Sequence, residues 1–239
     1  SLREMEELVR REERYAAVGN LAASIAHEIR NPLASLSGAI QLMEPPEQED
    51  GLYQIVEREV GRLNDLVTRF LQSTRSSAFC PVPTDLEELV KQVVETFGQD
   101  QQYRDLVQVE VDFQDVAPIV LDREGLRQVM WNLILNAAQA MPDGGMIRVT
   151  GHRIGERLRL LVADQGVGVA PEDLDRLFDP FYTTRVGGTG LGLPNVERNV
   201  RRHGGDVWVQ SELGQGTTFA VWLPLVPPQE NSVEEKARA

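Results

Sequence analysis

The chain has 239 residues, of which 41% are hydrophobic and 26% are charged, as in a soluble globular protein that can bury a core. Its 37 acidic residues outnumber its 24 basic ones, so nucleic acid is not an expected partner. A polyanionic ligand would have to be held locally, by a metal ion or by backbone N–H groups. The single cysteine, Cys80, excludes an internal disulfide and fits a reducing compartment.

The sequence gives no sign of a membrane span. No stretch approaches the ~20 apolar residues that cross a bilayer, and no signal peptide opens the chain. The first residue is Ser1 instead of Met, so we interpret the sequence as a fragment of a longer protein. The expected location is the cytoplasm, and the chain would reach a membrane only through a sensor that precedes Ser1.

The N-terminal third is predicted to be helical. In residues 1–44, apolar side chains recur at steps of three, four and seven, which predicts one long helix. A second helix, with its own apolar stripe, is predicted over 52–73. Two such helices do not enclose a core, so we expect a homodimer in which two hairpins form a four-helix bundle. Residues 78–84, which include Pro81 and Pro83, are predicted to be a linker.

The rest of the chain has the pattern of an α/β domain. Helices are predicted at 85–97, 123–141 and 191–202, the first capped by Thr84 or Asp85. Strands are predicted at 107–113, 118–121, 146–154, 157–164, 206–212 and 217–223. The glycine-rich segment 165–190 is predicted to consist of turns, and 226–239 of a disordered tail. The domains are therefore 1–77, a linker over 78–84, 85–225, and the tail.

The first chemical motif, HEIRNPL, begins at His27 within the first predicted helix. His27 falls between the apolar positions Ile25 and Ile29 and therefore projects towards water. Imidazole is a good nucleophile near neutral pH, and Glu28 could accept or orient its proton. Pro32 cannot donate to the carbonyl of Glu28 and should bend the helix there. The alternative is a solvated His–Glu pair on a bundle surface.

The second motif, NLILNAAQA, places two asparagines on one helical face. Asn132 and Asn136 are four residues apart, whereas Leu133, Ala137 and Ala140 can line the packed side. Carboxamide oxygens suit Mg²⁺, which is usually shared with phosphate oxygens. The alternative is a pair of surface asparagines.

Two glycine-containing motifs follow. In DQGVG, Asp164 ends an apolar strand and can accept a hydrogen bond from an exocyclic amine, while Gly166 and Gly168 would let the backbone approach a flat ring. In GGTGLGL, which starts at Gly187, repeated glycines before a helix would present N–H groups to phosphates. Alternatively, the latter is a flexible loop.

The segment DPFYTTR, Asp179 to Arg185, precedes that glycine run. Its aromatic residues, together with Phe178, would either pin a mobile lid or belong to the core. Arg185 would reach a phosphate.

In chain order, HEIRNPL, NLILNAAQA, DQGVG, DPFYTTR and GGTGLGL resemble the H, N, G1, F and G2 boxes of the sensor histidine kinases of two-component signalling, and GQGTTF, Gly214 to Phe219, resembles their last glycine-rich element. The resemblance covers about residues 16–224. Within the family, the sequence looks most like the nitrogen-regulation branch. It implies a helical dimerisation and histidine phosphotransfer domain. An α/β sandwich shared with gyrase and heat-shock chaperone ATPases follows, and a response regulator receiver is the partner.

The resemblance also implies roles for particular residues. His27 is the phospho-acceptor, Glu28 its acid/base partner, and Asn31 orients water for dephosphorylating the partner. Asn136 ligates Mg²⁺ and Asp164 reads the adenine of ATP. The other implied nucleotide-binding residues are Asn132, Gly166, Gly168, Thr184, Arg185, Gly188, Gly190, Leu191, Gly192 and Thr217.

The sequence departs from many relatives at Gln139, where they carry Lys or Arg three residues after the metal-binding Asn. A neutral amide supplies no charge, so Arg185 or Arg127 would provide it. The expected function is autophosphorylation on His27 and transfer to an aspartate of the regulator, with phosphatase activity towards it. The alternatives are a catalytically weak dimeric scaffold, a phosphatase-only regulator, or a plain ATPase, although the exposed His27 argues against the last.

Overall fold

The computed structural model describes residues 79–114, 116–185 and 189–226. Residue contacts divide the chain into two units, Ser1–Ser77 and Ala78–Ala239, and all described residues belong to the second. The two predicted N-terminal helices and nearly all of the predicted tail lie outside the described residues. No helix within the described ranges is long and apolar enough to cross a membrane.

The described residues form seven strands and four helices. The strands are β1 (Pro81–Thr84), β2 (Val107–Gln114), β3 (Ile119–Asp122), β4 (Gly145–Ile154), β5 (Arg157–Ala163), β6 (Asp206–Glu212) and β7 (Gly216–Pro224). The helices are α1 (Leu86–Gly98), α2 (Arg123–Gln139), α3 (Pro171–Leu174) and α4 (Gly192–Arg202). Every helix and strand that the sequence predicted in this region is present, with ends shifted by one or two residues.

Five strands form one mixed sheet in the order β2-β4-β5-β7-β6. Strand β2 pairs with β4 in parallel, and the other neighbours are antiparallel. Side chains alternate along the strands, so that Val149, Leu160 and Val221 are buried on one face while their neighbours are more exposed. Helices α1, α2 and α4 cover the buried face, with α2 in the middle of the core. The predicted α/β sandwich is therefore confirmed for this domain.

Local signals set the ends of two helices. Asp85 caps α1, because its Oδ1 accepts a hydrogen bond of 3.1 Å from the N–H of Glu88; Thr84 instead donates to the Val82 carbonyl oxygen. Beyond the end of α4, Gly204 adopts φ 71°, and the N–H of Gly205 donates to the Val200 carbonyl oxygen at 2.9 Å. Glycine is favoured at such a left-handed position because it has no Cβ atom.

Within the predicted linker over 78–84, Pro81–Thr84 form strand β1, which the sequence did not predict. This strand pairs antiparallel with β3 in a separate two-stranded sheet. Prolines are compatible with a strand that has only one neighbour, because their missing N–H groups can face away from it. Residues 165–190 also contain more than the predicted turns, since Pro171–Leu174 form the short helix α3.

Candidate functional site

Asp164 follows β5 directly and is almost buried, with 8% of its surface exposed. Its Oδ1 accepts hydrogen bonds from the N–H groups of Gly166 at 2.8 Å and Thr217 at 3.2 Å. Burial raises the pKa of this carboxyl group, and the two backbone donors and the charge of Arg185 oppose that shift. Because both donors bind Oδ1, Oδ2 is the oxygen that a ligand can use.

Thr217 lies beside Asp164 at the start of β7. The N–H of Asp164 donates to the Thr217 carbonyl oxygen at 2.9 Å, and the Thr217 hydroxyl lies 2.9 Å from the Ser211 hydroxyl. Ser211 also donates to the Gly216 carbonyl oxygen and accepts from the N–H of Val169. This network fixes the loop after β5 against β6 and β7, so the position of Asp164 is set from both sides.

Gly166 and Gly168 are required for packing, whereas the sequence analysis expected them to admit a ligand. A Cβ atom on Gly166 would lie 2.5 Å from the carbonyl oxygen of Ala140, just beyond α2. Gly168 has φ 70°, and a Cβ atom there would lie 2.1 Å from the carbonyl oxygen of Glu212. Their small size therefore lets the loop approach α2 and β6. The N–H of Val167 bonds to the same Ala140 oxygen at 3.0 Å.

The asparagine face of α2 meets the beginning of α4. A Cβ atom on Gly192, the first residue of α4, would lie 3.7 Å from Asn132 Oδ1 and 3.8 Å from Asn136 Nδ2. Leu133 and Ala137 are buried on the other side of α2, as the spacing predicted. Tertiary packing thus brings the NLILNAAQA and GGTGLGL motifs together.

Among the described residues, helix α4 begins without a side-chain cap. Its capping residue Leu191 is buried and provides no side-chain acceptor. The first N–H groups of such a helix are available to an anion, and the helix dipole favours negative charge there. Gly190 has φ 63°, and its carbonyl oxygen accepts from the N–H of Phe181 at 2.9 Å. This bond ties the glycine motif to the preceding aromatic motif.

Arg185 reaches the same face of α2. Its Nη1 donates to Gln139 Oε1 at 2.8 Å and to Asn136 Oδ1 at 3.2 Å, and its Nη2 donates to the Asn136 carbonyl oxygen at 3.1 Å. The residue as a whole is exposed, but its guanidinium group lies against protein atoms. This desolvation lowers the pKa of Arg185, and the charge of Asp164 opposes the shift.

Of the two arginines considered for the charge missing at Gln139, only Arg185 is near. Arg127 binds Glu124 instead, with Nε at 2.8 Å from Oε2. Gln139 acts as a hydrogen-bond acceptor towards Arg185.

The aromatic residues before Arg185 divide between core and surface. Phe178 packs against the core, and Phe181 is half exposed. The Tyr182 hydroxyl donates to Asp173, and the guanidinium group of Arg176 lies 4.1 Å from the Tyr182 ring centre. Tyr182 therefore anchors this segment to the residues around α3, one of the two roles that the sequence left open.

The remaining candidates are separate from this cluster or outside the described residues. Thr184 is exposed, and none of the hydrogen bonds between described residues joins it to α2. His27, Glu28, Asn31 and Gly188 lie outside the described ranges.

The sequence analysis missed a buried polar cluster on α4. Asn195, Asn199 and His203 are each at most 5% exposed. His203 Nδ1 lies 2.7 Å from the Asn199 carbonyl oxygen, and its Nε2 accepts from the N–H of Asp122 at 3.1 Å. These two contacts define a neutral imidazole with its proton on Nδ1. The cluster joins the end of α4 to the start of α2; no motif signals it, because its partners are distant in sequence.

The arrangement suits a nucleotide with phosphates. It combines a buried acceptor for an exocyclic amine at Asp164, the first helical N–H groups of α4, the cation of Arg185, and amide oxygens on α2. No group of three acidic, histidine or cysteine ligands occurs in the part of the chain that the structure describes. These residues therefore do not form a metal site from such side chains alone. One amide oxygen does suit a Mg²⁺ ion that is also bound by phosphate oxygens.

Fold and site together define an ATP-binding domain of the kinase and gyrase type. Residues 121–227 match the family described as histidine kinase-, DNA gyrase B- and HSP90-like ATPase, and residues 17–79 match the His Kinase A phospho-acceptor domain. The chain belongs to the sensor histidine kinases of two-component systems. Membership of the nitrogen-regulation branch stays a prediction.

Named relatives agree with this assignment. The chain is 37% identical over 226 residues to sensor histidine kinase ZraS of Escherichia coli (strain K12), a match that covers 92% of this chain and 48% of ZraS. It is similar to full-length ShkA solved with AMPPNP, with 29% identity, a TM-score of 0.72, and coverage of 87% and 46%. Histidine kinase ThkA, solved with the response regulator TrrA, shows 27% identity, a TM-score of 0.64, and coverage of 94% and 66%. The chain spans about half the length of the curated relatives that it matches.

Proposed function

We propose that the protein phosphorylates itself on His27 with ATP and then passes the phosphoryl group to an aspartate of a response regulator. The observation that carries this proposal is the convergence of Asn136, Gly192 and Arg185 next to the loop that holds Asp164. Residues 1–77 would dimerise and carry His27, residues 85–225 would bind ATP, and residues 78–84 would connect the two. ShkA, which was solved with AMPPNP, supports ATP as the nucleotide.

Within the ATP domain, each group has a chemical task. Oδ2 of Asp164 would accept a hydrogen bond from the adenine amine, since Oδ1 is already occupied by two backbone donors. The first N–H groups of α4 and the Arg185 guanidinium group would bind phosphate oxygens. Asn136 Oδ1 would ligate Mg²⁺, with Asn132 beside it; this ion, when bound, offsets charge on the phosphates.

The transfer itself is a balanced displacement. The lone pair on Nε2 of His27 forms a bond to the γ-phosphorus while the bond from that phosphorus to the bridging oxygen breaks, and ADP leaves with the electron pair. Glu28 would accept the Nδ1 proton of the resulting imidazolium. The P–N bond is then broken in turn by a carboxylate oxygen of the regulator.

The partner is proposed by analogy with ThkA, whose structure contains the response regulator TrrA. In the reverse mode, Asn31 would orient a water molecule that hydrolyses the phosphorylated regulator. Both modes would use the same segment around His27, which the sequence predicts to face water, so a single homodimer would serve as kinase and phosphatase. The chain as given would work in the cytoplasm.

The test is incubation with γ-labelled ATP and Mg²⁺, comparing the wild type with His27→Ala. We expect label that survives base, is lost in acid, and is absent from the variant. If nucleotide binds but no label forms, the kinase proposal is wrong and a scaffold or phosphatase-only protein remains; Asn31→Ala assayed with a phosphorylated receiver would then separate those two. Release of phosphate without labelled protein would indicate a plain ATPase.

A further inference from the structure

The charge that many relatives place on the α2 helix is absent from this chain, because residue 139 is glutamine. In the structure, Arg185 from the segment after α3 brings a guanidinium group to the same helical face. Its shortest contact is to Gln139 Oε1 at 2.8 Å. The other two contacts go to Asn136, at Oδ1 and at the carbonyl oxygen, at 3.2 and 3.1 Å.

The three acceptors of these hydrogen bonds differ in whether they also have a role in nucleotide binding. Oδ1 of Asn136 is both an acceptor for Arg185 and the proposed ligand of Mg²⁺, and two cations on one oxygen would repel each other. Gln139 Oε1 and the Asn136 carbonyl oxygen have no such second task. If Asn136 turns its side chain to the metal, Arg185 keeps its shortest hydrogen bond.

We propose that Gln139 is a positioning residue for Arg185: its amide oxygen holds the guanidinium group beside Asn136, where the phosphates are expected. A lysine at 139 would repel that guanidinium group, whereas a neutral acceptor attracts it. In many relatives one basic residue on α2 supplies this charge. Here Arg185 supplies it from another segment, and Gln139 on α2 holds Arg185 in place. This inference rests on the proposed function for its purpose, although the contact itself does not.

The contact can be tested on ligand-free protein by limited trypsin digestion, followed by mass spectrometry of the cleavage after Arg185. Trypsin must bind the free arginine side chain, so a guanidinium group held by Gln139 is protected. Gln139→Met, which keeps the length but removes the acceptor, should accelerate this cleavage by about three- to tenfold, the factor for one hydrogen bond to a charged group at an exposed site. Gln139→Glu keeps an acceptor and should restore protection.

Gln210→Met is the matched control, because Gln210 is exposed on β6, on the opposite side of that strand from Val207 and Val209, which pack towards the helices. Cleavage after the other arginines of the same digest is the internal reference. Equal cleavage after Arg185 in the wild type and in Gln139→Met would overturn the proposal, as would failure of Gln139→Glu to protect.

A second measurement separates this inference from the proposed function. Binding of AMPPNP with Mg²⁺ should weaken by about three- to tenfold in Gln139→Met and stay unchanged in Gln210→Met. Unchanged affinity in Gln139→Met would refute the positioning role even if digestion shows the contact. If wild-type protein does not bind AMPPNP at all, the ATP proposal fails; the positioning role towards phosphate then fails with it, while digestion still decides whether Gln139 holds Arg185.

Discussion

Asp164→Asn should strongly weaken nucleotide binding without disturbing the fold. The change replaces one oxygen by nitrogen in a side chain that is 8% exposed. The amide oxygen can keep the two backbone hydrogen bonds of 2.8 and 3.2 Å that Oδ1 accepts from Gly166 and Thr217. The amide nitrogen then replaces Oδ2, so a donor faces the adenine amine, which is also a donor.

The magnitude follows from these contacts. Loss of a hydrogen bond to a charged acceptor costs about 2 kcal/mol, and a donor left without an acceptor costs about 1–3 kcal/mol more. The sum, about 3–5 kcal/mol, corresponds to a dissociation constant for AMPPNP that is roughly 100- to 5,000-fold higher. Isothermal titration measures this, with Asp143→Asn, the same change at an exposed turn, as the control. An affinity of Asp164→Asn within threefold of the wild type would refute the assignment of Asp164 to adenine.

Although Asp164→Asn weakens binding, it should raise the free energy of unfolding of the ligand-free protein. Burial raises the pKa of Asp164, so the folded state favours the protonated carboxyl group more than the unfolded chain does. The stability that this group contributes is present below its unfolded pKa and is lost as the pH rises through its folded pKa. At pH 7 the ligand-free Asp164→Asn protein should therefore resist urea better than the wild type, and the difference should shrink in acid. A less stable variant at pH 7 would contradict this reasoning.

Three further changes test other parts of the domain. Asn136→Asp should eliminate labelling by ATP, because it adds negative charge beside the phosphates, and light scattering should show an unchanged dimer; an active variant would refute the metal assignment. Gly168→Ala should lower the free energy of unfolding in urea by about 3 kcal/mol or more, because its Cβ atom would lie only 2.1 Å from a carbonyl oxygen. Gly214 also has a positive φ, but the space beside it is open, so Gly214→Ala should cost only about 1 kcal/mol. His203→Ala should cost about 2–4 kcal/mol in urea, because the buried N–H of Asp122 loses its acceptor, and AMPPNP affinity should not change.

Most of the secondary structure in the ATP domain was predictable because its signals are local. The capping residue Asp85 fixes the start of α1 through a contact three residues away, and glycine fixes the end of α4. Strand β1 was not predictable, because two prolines dominate its sequence and its strand partner β3 comes almost 40 residues later. Such a strand is stabilised by pairing with its partner, and its own sequence lacks the alternation of apolar and polar residues that predicts a strand.

The sequence by itself determined the family, the order of the motifs and the residue types of the candidate site, since each depends on spacing along a helix or on the chemistry of one side chain. Only tertiary structure decided how these residues are used. Gly166 and Gly168 proved to be packing positions, because α2 and β6 lie against them. Arg185, and not Arg127, supplies charge to Gln139, because the fold returns a segment 46 residues distant to the same helix. Such contacts depend on the pairing of distant segments, and a linear pattern does not encode which distant surfaces will meet.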